Sequence, residues 1–121
     1  WDRAAAAHRD DAAAALDAHL AWIGERLGRP RYRGCPQIHV AAEFPDEDHP
    51  ARLVARAHKQ ELRRRLRGLA ARLGARRPDD LATQLTVVLN GAFVSAEILA
   101  DGDPTRTLAG MTRALVAAAR A

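Results

Sequence analysis

Residues 32–43 have the sequence YRGCPQIHVAAE, in which a Gly-Cys-Pro turn leads directly into a short helical stretch. Pro36 suits the first turn of a helix, because the backbone N–H that proline lacks would have no partner there. The stretch therefore predicts a short helix over residues 36–44. It lies between long segments rich in Ala, Leu and Arg, which are residues that favour helix. The sequence indicates an all-α protein.

Five helical segments are predicted in all. The first covers residues 2–27, where the Ala-rich beginning lacks a helix start signal and suggests a further segment upstream. The third runs from Pro50 to residue 73 and is followed by Gly74, a residue type that commonly caps helix C-termini in the left-handed conformation. The fourth covers residues 78–100. The fifth begins at Asp103-Pro104, a capping residue followed by proline at the first helical position.

Apolar residues at helical spacing predict the buried face of each helix. The stripe of the first helix is Leu16, Leu20, Ile23 and Leu27, and that of the third is Val54, His58, Leu62, Leu66, Leu69 and Leu73. The fourth helix has two stripes. One is a wide arc of Leu81, Leu85, Val88, Leu89, Ala92, Phe93, Ala96 and Leu99, and the other consists of Val87, Val94 and Ile98. A chain of 121 residues rarely buries both faces of one helix by itself, so we expect a partner subunit.

The net charge and the single cysteine limit the classes of protein to which this chain could belong. The chain has 19 basic and 15 acidic residues, and a net charge of +4 does not by itself indicate nucleic-acid binding. Cys35 is the only cysteine, so an internal disulfide is impossible and a reducing cytoplasm is the expected compartment. We find no signal-peptide pattern and expect no membrane-spanning segment.

The residues offer little for catalysis. Ser95 is the only serine, no His or carboxylate has the spacing of a triad or a zinc protease, and a Gly-rich phosphate loop is absent. We therefore expect neither an enzyme nor a bound cofactor. The basic run Arg63, Arg64, Arg65 and Arg67 contains no aromatic residue for base stacking, which favours a solvated helix face over a nucleic-acid contact.

Three residues could nevertheless carry chemistry. Cys35 precedes a helix, where a thiol could be reactive, although a small buried residue that holds the turn is the favoured interpretation. His58 lies in an apolar stripe and could hydrogen-bond a ligand, or be a core histidine paired within the protein. His39 and Glu43 are one helical turn apart and could form a metal site with His58, but this pattern is weak and no metal site is predicted.

Several motifs together resemble one known family, the TetR-type transcriptional repressors. They are Trp22-Ile23 near the end of a helix, Gly34-Cys35-Pro36, Ala41-Ala42-Glu43, His49-Pro50, Pro78-Asp79-Asp80-Leu81 and Asn90-Gly91-Ala92. The resemblance is to the C-terminal, ligand-sensing and dimerising domain of these proteins and covers residues 20–100. It implies that residues 1–121 are one five-helix effector-binding domain. The three-helix DNA-binding domain that precedes it in the family is not among these residues.

The resemblance also implies a ligand cavity and a dimer interface. A small-molecule effector would bind among the first four helices, and the last two helices would form a four-helix bundle with a second subunit. Operator DNA would be bound only through the separate N-terminal domain. The expected ligand-binding residues are Trp22, Ile38, His39, His58, Leu62, Leu89 and Phe93. The expected dimer contacts are Val87, Gly91, Val94, Ile98, Leu108, Met111 and Leu115.

Two positions depart from the family pattern. Gln37 stands where an apolar aromatic residue is common, and His39 where a small polar residue is common. If both face the cavity, we expect a ligand that is more polar than those of related proteins or that bears a hydrogen-bonding group. A stand-alone helical interaction module remains the main alternative, and a small-molecule carrier or a helical enzyme resembling hydrolases is a weaker one.

Overall fold

The chain folds into six α-helices in a computed structural model that describes residues 1–99 and 102–121. They are α1 (Asp2–Ala7), α2 (Ala12–Leu27), α3 (Pro36–Glu43), α4 (Pro50–Arg72), α5 (Pro78–Ile98) and α6 (Pro104–Arg120). The described residues contain no strand, so the all-α prediction is confirmed. The predicted number of five helices is wrong. The predicted end of the fourth segment at Ala100 lies outside the described residues.

The additional helix arises because the first predicted segment is broken at residues 8–11. Asp11 caps the new start, since its side chain accepts a hydrogen bond of 2.9 Å from the backbone N–H of Ala14. Arg72 at the end of α4 holds the break in place. Its guanidinium donates to the carbonyl oxygens of His8 and Arg9 at 3.0 and 2.7 Å.

The other boundaries follow the predicted caps. Gly74 has φ +79 directly after α4, which is the left-handed conformation expected there. Asp103 accepts a hydrogen bond of 2.9 Å from the backbone N–H of Arg106 and so caps α6. Pro36, Pro50, Pro78 and Pro104 each lie in the first turn of a helix.

Helix α5 occupies the centre of the packing, with α4 on one side and α6 on the other. Helix α2 packs on α6 and touches α4, and α3 packs on α4. Their shared core is apolar and includes Leu16, Leu20, Ile23, Leu27, Leu66, Leu69, Leu81, Leu85, Leu89 and Leu108. The predicted stripe of the first segment is therefore buried. The wide arc of α5 is buried in part: Leu81, Leu85, Leu89 and Ala92 are buried, Val88, Phe93 and Ala96 are partly buried, and Leu99 is exposed.

One predicted face is wrong in part. The α4 stripe is buried only towards its C-terminal end, because the N-terminal part extends past the core, and Val54 is 70% exposed there. On α6 the buried residues are Leu108, Thr112 and Val116, whereas Met111 points away from the core and Leu115 is partly buried against it. Of the expected dimer contacts on α6, Met111 is therefore exposed, whereas Leu108 is buried in the core.

The expectation that no segment could span a membrane also needs correction. By length and composition alone, α5 is long and apolar enough to cross a bilayer. This is weak support for a membrane segment, because core helices of globular proteins meet the same criterion. Here one side of α5 packs in the core between α4 and α6.

Candidate functional site

A partly open pocket of about 420 Å³ lies between α2, the start of α3, α4 and α5. Its lining is mainly apolar and aromatic, with a few charged groups at one side, as is common for small-molecule sites. The lining residues are Trp1, Trp22, Ile23, Arg26, Gly34, Cys35, Pro36, Gln37, His58, Lys59, Glu61, Leu62, Arg65, Leu89 and Phe93.

Five of the seven expected ligand-binding residues line this pocket, namely Trp22, His58, Leu62, Leu89 and Phe93. Ile38 and His39 do not, because α3 contributes only its first turn and the loop before it. The side chain of His39 lies outside, with Nε2 3.6 Å from Glu97 Oε2. Of the two departures from the family pattern, only Gln37 therefore faces the pocket.

Lys59 is the residue that the sequence analysis missed. Its Nζ donates a hydrogen bond of 2.6 Å to Asn90 Oδ1 and a longer one of 3.4 Å to Cys35 Sγ. The ammonium also lies 5.6 Å from the centre of the Phe93 ring, within range of a cation–π contact. Lys59 is the only lysine in a chain otherwise rich in arginine, which distinguishes the residue but does not place it at the pocket.

The other charged residues of the lining are Arg26, Glu61 and Arg65. The guanidinium of Arg26 lies over the Trp22 ring at 5.1 Å. The Glu61 carboxylate accepts hydrogen bonds from Arg64 and Arg65, which lower its pKa to about 2. Arg65 in turn reaches Asp2 at 2.7 Å. The single carboxylate of the lining is therefore already occupied by arginines.

Cys35 is a buried residue that joins these elements. It occupies the N-cap position of α3, and its thiol donates to Gln37 Oε1 at 3.2 Å while accepting from Lys59. This environment agrees with the structural interpretation of the residue. The Tyr32 hydroxyl donates to the Phe93 carbonyl oxygen at 3.1 Å, and burial raises the pKa of that hydroxyl.

The weak metal-site alternative finds no support in the described part of the chain. Among those residues, no three His, Cys, Asp or Glu side chains come together closely enough to hold an ion. His39 pairs with Glu97 rather than with His58, which lies at the pocket.

The basic run on α4 is paired with carboxylates. Arg63 and Arg67 lie 3.6 and 3.0 Å from Asp79, while Arg64 and Arg65 contact Glu61. This pairing is typical of a solvated helix face.

A second, shallower groove of about 380 Å³ lies between α5 and α6. Four expected dimer contacts, Val87, Gly91, Leu108 and Met111, line it. The exposed apolar residues that line it are Val87 (66%), Leu99 (55%) and Met111 (49%), and Val94 (41%) and Ile98 (69%) are exposed elsewhere on α5. Leu108 is only 2% exposed, so it belongs to the core beneath the groove and is not available for extensive contact with a partner.

No protein-family model and no curated protein matches the chain. Solved structures do match it. SCO4454, a TetR-family transcriptional regulator from Streptomyces coelicolor, superposes with a TM-score of 0.88 at 21% identity. A second TetR-type regulator, sav143 from Streptomyces avermitilis, superposes with a TM-score of 0.76 at 33% identity.

These matches cover 98% and 92% of this chain but only 64% and 58% of the two regulators. At 21% identity the first match supports the fold alone, while the second adds sequence similarity over the same region. Both neighbours are regulators rather than enzymes, in line with the expectation of a non-enzymatic protein. The resemblance found in the sequence is thereby confirmed: the chain has the fold of TetR-family transcriptional regulators, over a length consistent with their C-terminal domain.

Proposed function

We propose that this chain is the effector-sensing and dimerisation domain of a TetR-type transcriptional repressor. A small molecule would bind in the pocket between α2, α4 and α5, and a second copy of the chain would cover the exposed apolar face of α5 and α6. DNA binding would belong to a separate N-terminal domain, and the regulator would act in the cytoplasm.

A single helix carries this proposal. Leu89 and Phe93 of α5 line the pocket, whereas Val94 and Ile98 of the same helix are exposed on another side. At about 100° per residue these two pairs lie on roughly opposite sides of α5. A ligand that shifts α5 from the pocket side would therefore change the surface offered to the partner subunit.

That coupling supplies a mechanism for release of DNA. A ligand shifts an equilibrium only if it binds one arrangement more tightly than the other. The two DNA-binding domains of a dimer must match half-sites that lie about one helical turn, or 34–36 Å, apart. A modest change in the position of one subunit relative to the other therefore suffices to weaken operator binding. The second copy would use the same apolar surface, because a twofold interface pairs identical patches.

Native mass spectrometry of the purified chain tests both parts of this function. We expect a species of twice the chain mass of 13.1 kDa that carries a co-purified small molecule or binds one from a compound library. The variant Leu62→Trp fills the pocket and should abolish the bound mass. Leu53→Trp, at an exposed position on α4 outside the pocket, should retain it. A monomer that binds nothing would support the alternative, a stand-alone interaction module.

A further inference from the structure

We propose that the pocket selects an organic anion, namely an apolar body that ends in a carboxylate, and that Lys59 binds the acid group. This inference rests on the proposed function, since it names the chemical class of the effector for the same pocket. It is carried by the contacts of the Lys59 ammonium and by the balance of charge around it.

The charge of Lys59 has no counter-ion among the described residues. Its two hydrogen-bond acceptors are the Asn90 amide oxygen and the Cys35 sulfur, both in neutral groups. No carboxylate of residues 1–99 or 102–121 lies within 4.0 Å of its Nζ. Withdrawing an ammonium from water is unfavourable unless an anion pairs with it. Binding of a carboxylate in the pocket would supply that pair.

The other charged residues of the lining also leave the pocket with a positive charge. Arg26 contacts the Trp22 ring and has no carboxylate partner in the described part of the chain. The carboxylate of Glu61 is held by Arg64 and Arg65, so it does not offset Lys59. A cationic ligand would meet two uncompensated positive charges, whereas an anion would neutralise them.

The apolar side of the pocket defines the body of the ligand. Trp22, Leu62, Leu89 and Phe93 form a lining that suits an aromatic or aliphatic group. An ammonium has three N–H donors, and Asn90 and Cys35 account for two of those of Lys59. The third is available to an acid group at the end of the ligand.

Isothermal titration calorimetry with two probes of nearly equal shape tests this inference. 1-Naphthylacetate carries the acid group, and 1-naphthylacetamide replaces it with a neutral amide. We expect the acid to bind the unmodified chain at least about tenfold more tightly, because hydrogen bonds to charged partners are the stronger ones. Equal affinities, or tighter binding of the amide, would overturn the inference while leaving a functional pocket. If neither probe binds, the inference fails, whereas the proposed function is tested separately by the mass-spectrometric search for another bound molecule.

Substitutions test whether the preference for the acid depends on Lys59. Lys59→Met keeps a similar side-chain length without the charge, and should weaken binding of 1-naphthylacetate about tenfold without changing that of the amide. Lys59→Arg should retain the preference for the acid. Arg56→Met removes an exposed positive charge from the same helix outside the pocket and should change neither affinity. Unchanged acid binding in Lys59→Met would contradict the assignment, and the acid–amide comparison on the unmodified chain holds even if that variant does not fold.

Discussion

Lys59 Nζ donates to Asn90 Oδ1 at 2.6 Å and so joins the middle of α4 to the middle of α5. Residues of both helices line the pocket, and Phe93 lies one turn beyond Asn90. Any group that competes for the ammonium therefore acts on the contact between α4 and α5. This places the proposed anion site and the helix of the proposed dimer interface in direct connection.

Replacing Asn90 with Asp should block binding of anions. The new carboxylate would neutralise Lys59 from within the protein, so 1-naphthylacetate should bind about tenfold more weakly while 1-naphthylacetamide is unaffected. Titration calorimetry measures both affinities. Gln84→Glu adds the same charge to an exposed position of α5 and should leave both unchanged. Undiminished binding of the acid to Asn90→Asp would show that Lys59 is not its partner.

Gly34 should be intolerant of a side chain. Its φ is +79, and an added Cβ would lie 2.6 Å from Glu97 Oε2 and 3.0 Å from His39 Nε2. Because a non-glycine residue in this conformation costs about 1–2 kcal/mol, Gly34→Ala should lower the free energy of unfolding by that amount. Gly68→Ala is the matched control. Gly68 lies within α4 with nothing near its Cβ position, so alanine should stabilise the chain by about 0.5–1 kcal/mol. Urea denaturation compares the two, and equal effects would contradict the prediction.

His19 should make the fold sensitive to mild acid. It is 4% exposed and stacks on Trp1 with ring centroids 3.8 Å apart. Burial lowers its pKa from 6.5 to about 4. Between these values the unfolded chain binds a proton that the folded chain does not, so stability falls as the pH decreases below 6.5.

From pH 7 to pH 5 this difference should lower the free energy of unfolding by about 2 kcal/mol. Urea denaturation at the two pH values measures it. The variant His19→Leu should show little of this dependence, whereas His58→Gln, at an exposed histidine, should retain it. Glu61 does not interfere, because its carboxyl has an ordinary pKa of 4.5 and a folded pKa of about 2, and both values lie below the pH range compared. An unchanged pH dependence in His19→Leu would assign the effect to other groups.

The sequence predicted helix boundaries well wherever a local signal specified them. Pro36, Pro50, Pro78 and Pro104 begin helices, and Gly74 follows one, because their backbone preferences act without help from the rest of the fold. Asp11 was missed as a cap although it is a local signal of the same kind. The alanines on both sides of residues 8–11 favour helix, so the sequence pattern did not indicate the break between α1 and α2.

Features that depend on tertiary packing were harder to predict. The spacing of Leu108, Met111 and Leu115 indicates an apolar face, but the core also uses Thr112 and Val116 and leaves Met111 exposed. Lys59 could not be assigned to the pocket, because its importance arises from Asn90, which is 31 residues away in the chain. His39 is four residues from Cys35, yet it lies outside the pocket, because only the first turn of α3 lines it.

Light scattering coupled to size-exclusion chromatography most directly tests the claim that a second copy covers α5 and α6. The unmodified chain should have twice the monomer mass of 13.1 kDa. Val94→Glu, which places a charge in the apolar surface, should give a folded monomer or an aggregate. Val54→Glu, at a 70% exposed valine of α4, should remain a dimer. A monomeric unmodified chain, or a dimer that Val94→Glu leaves intact, would contradict the account.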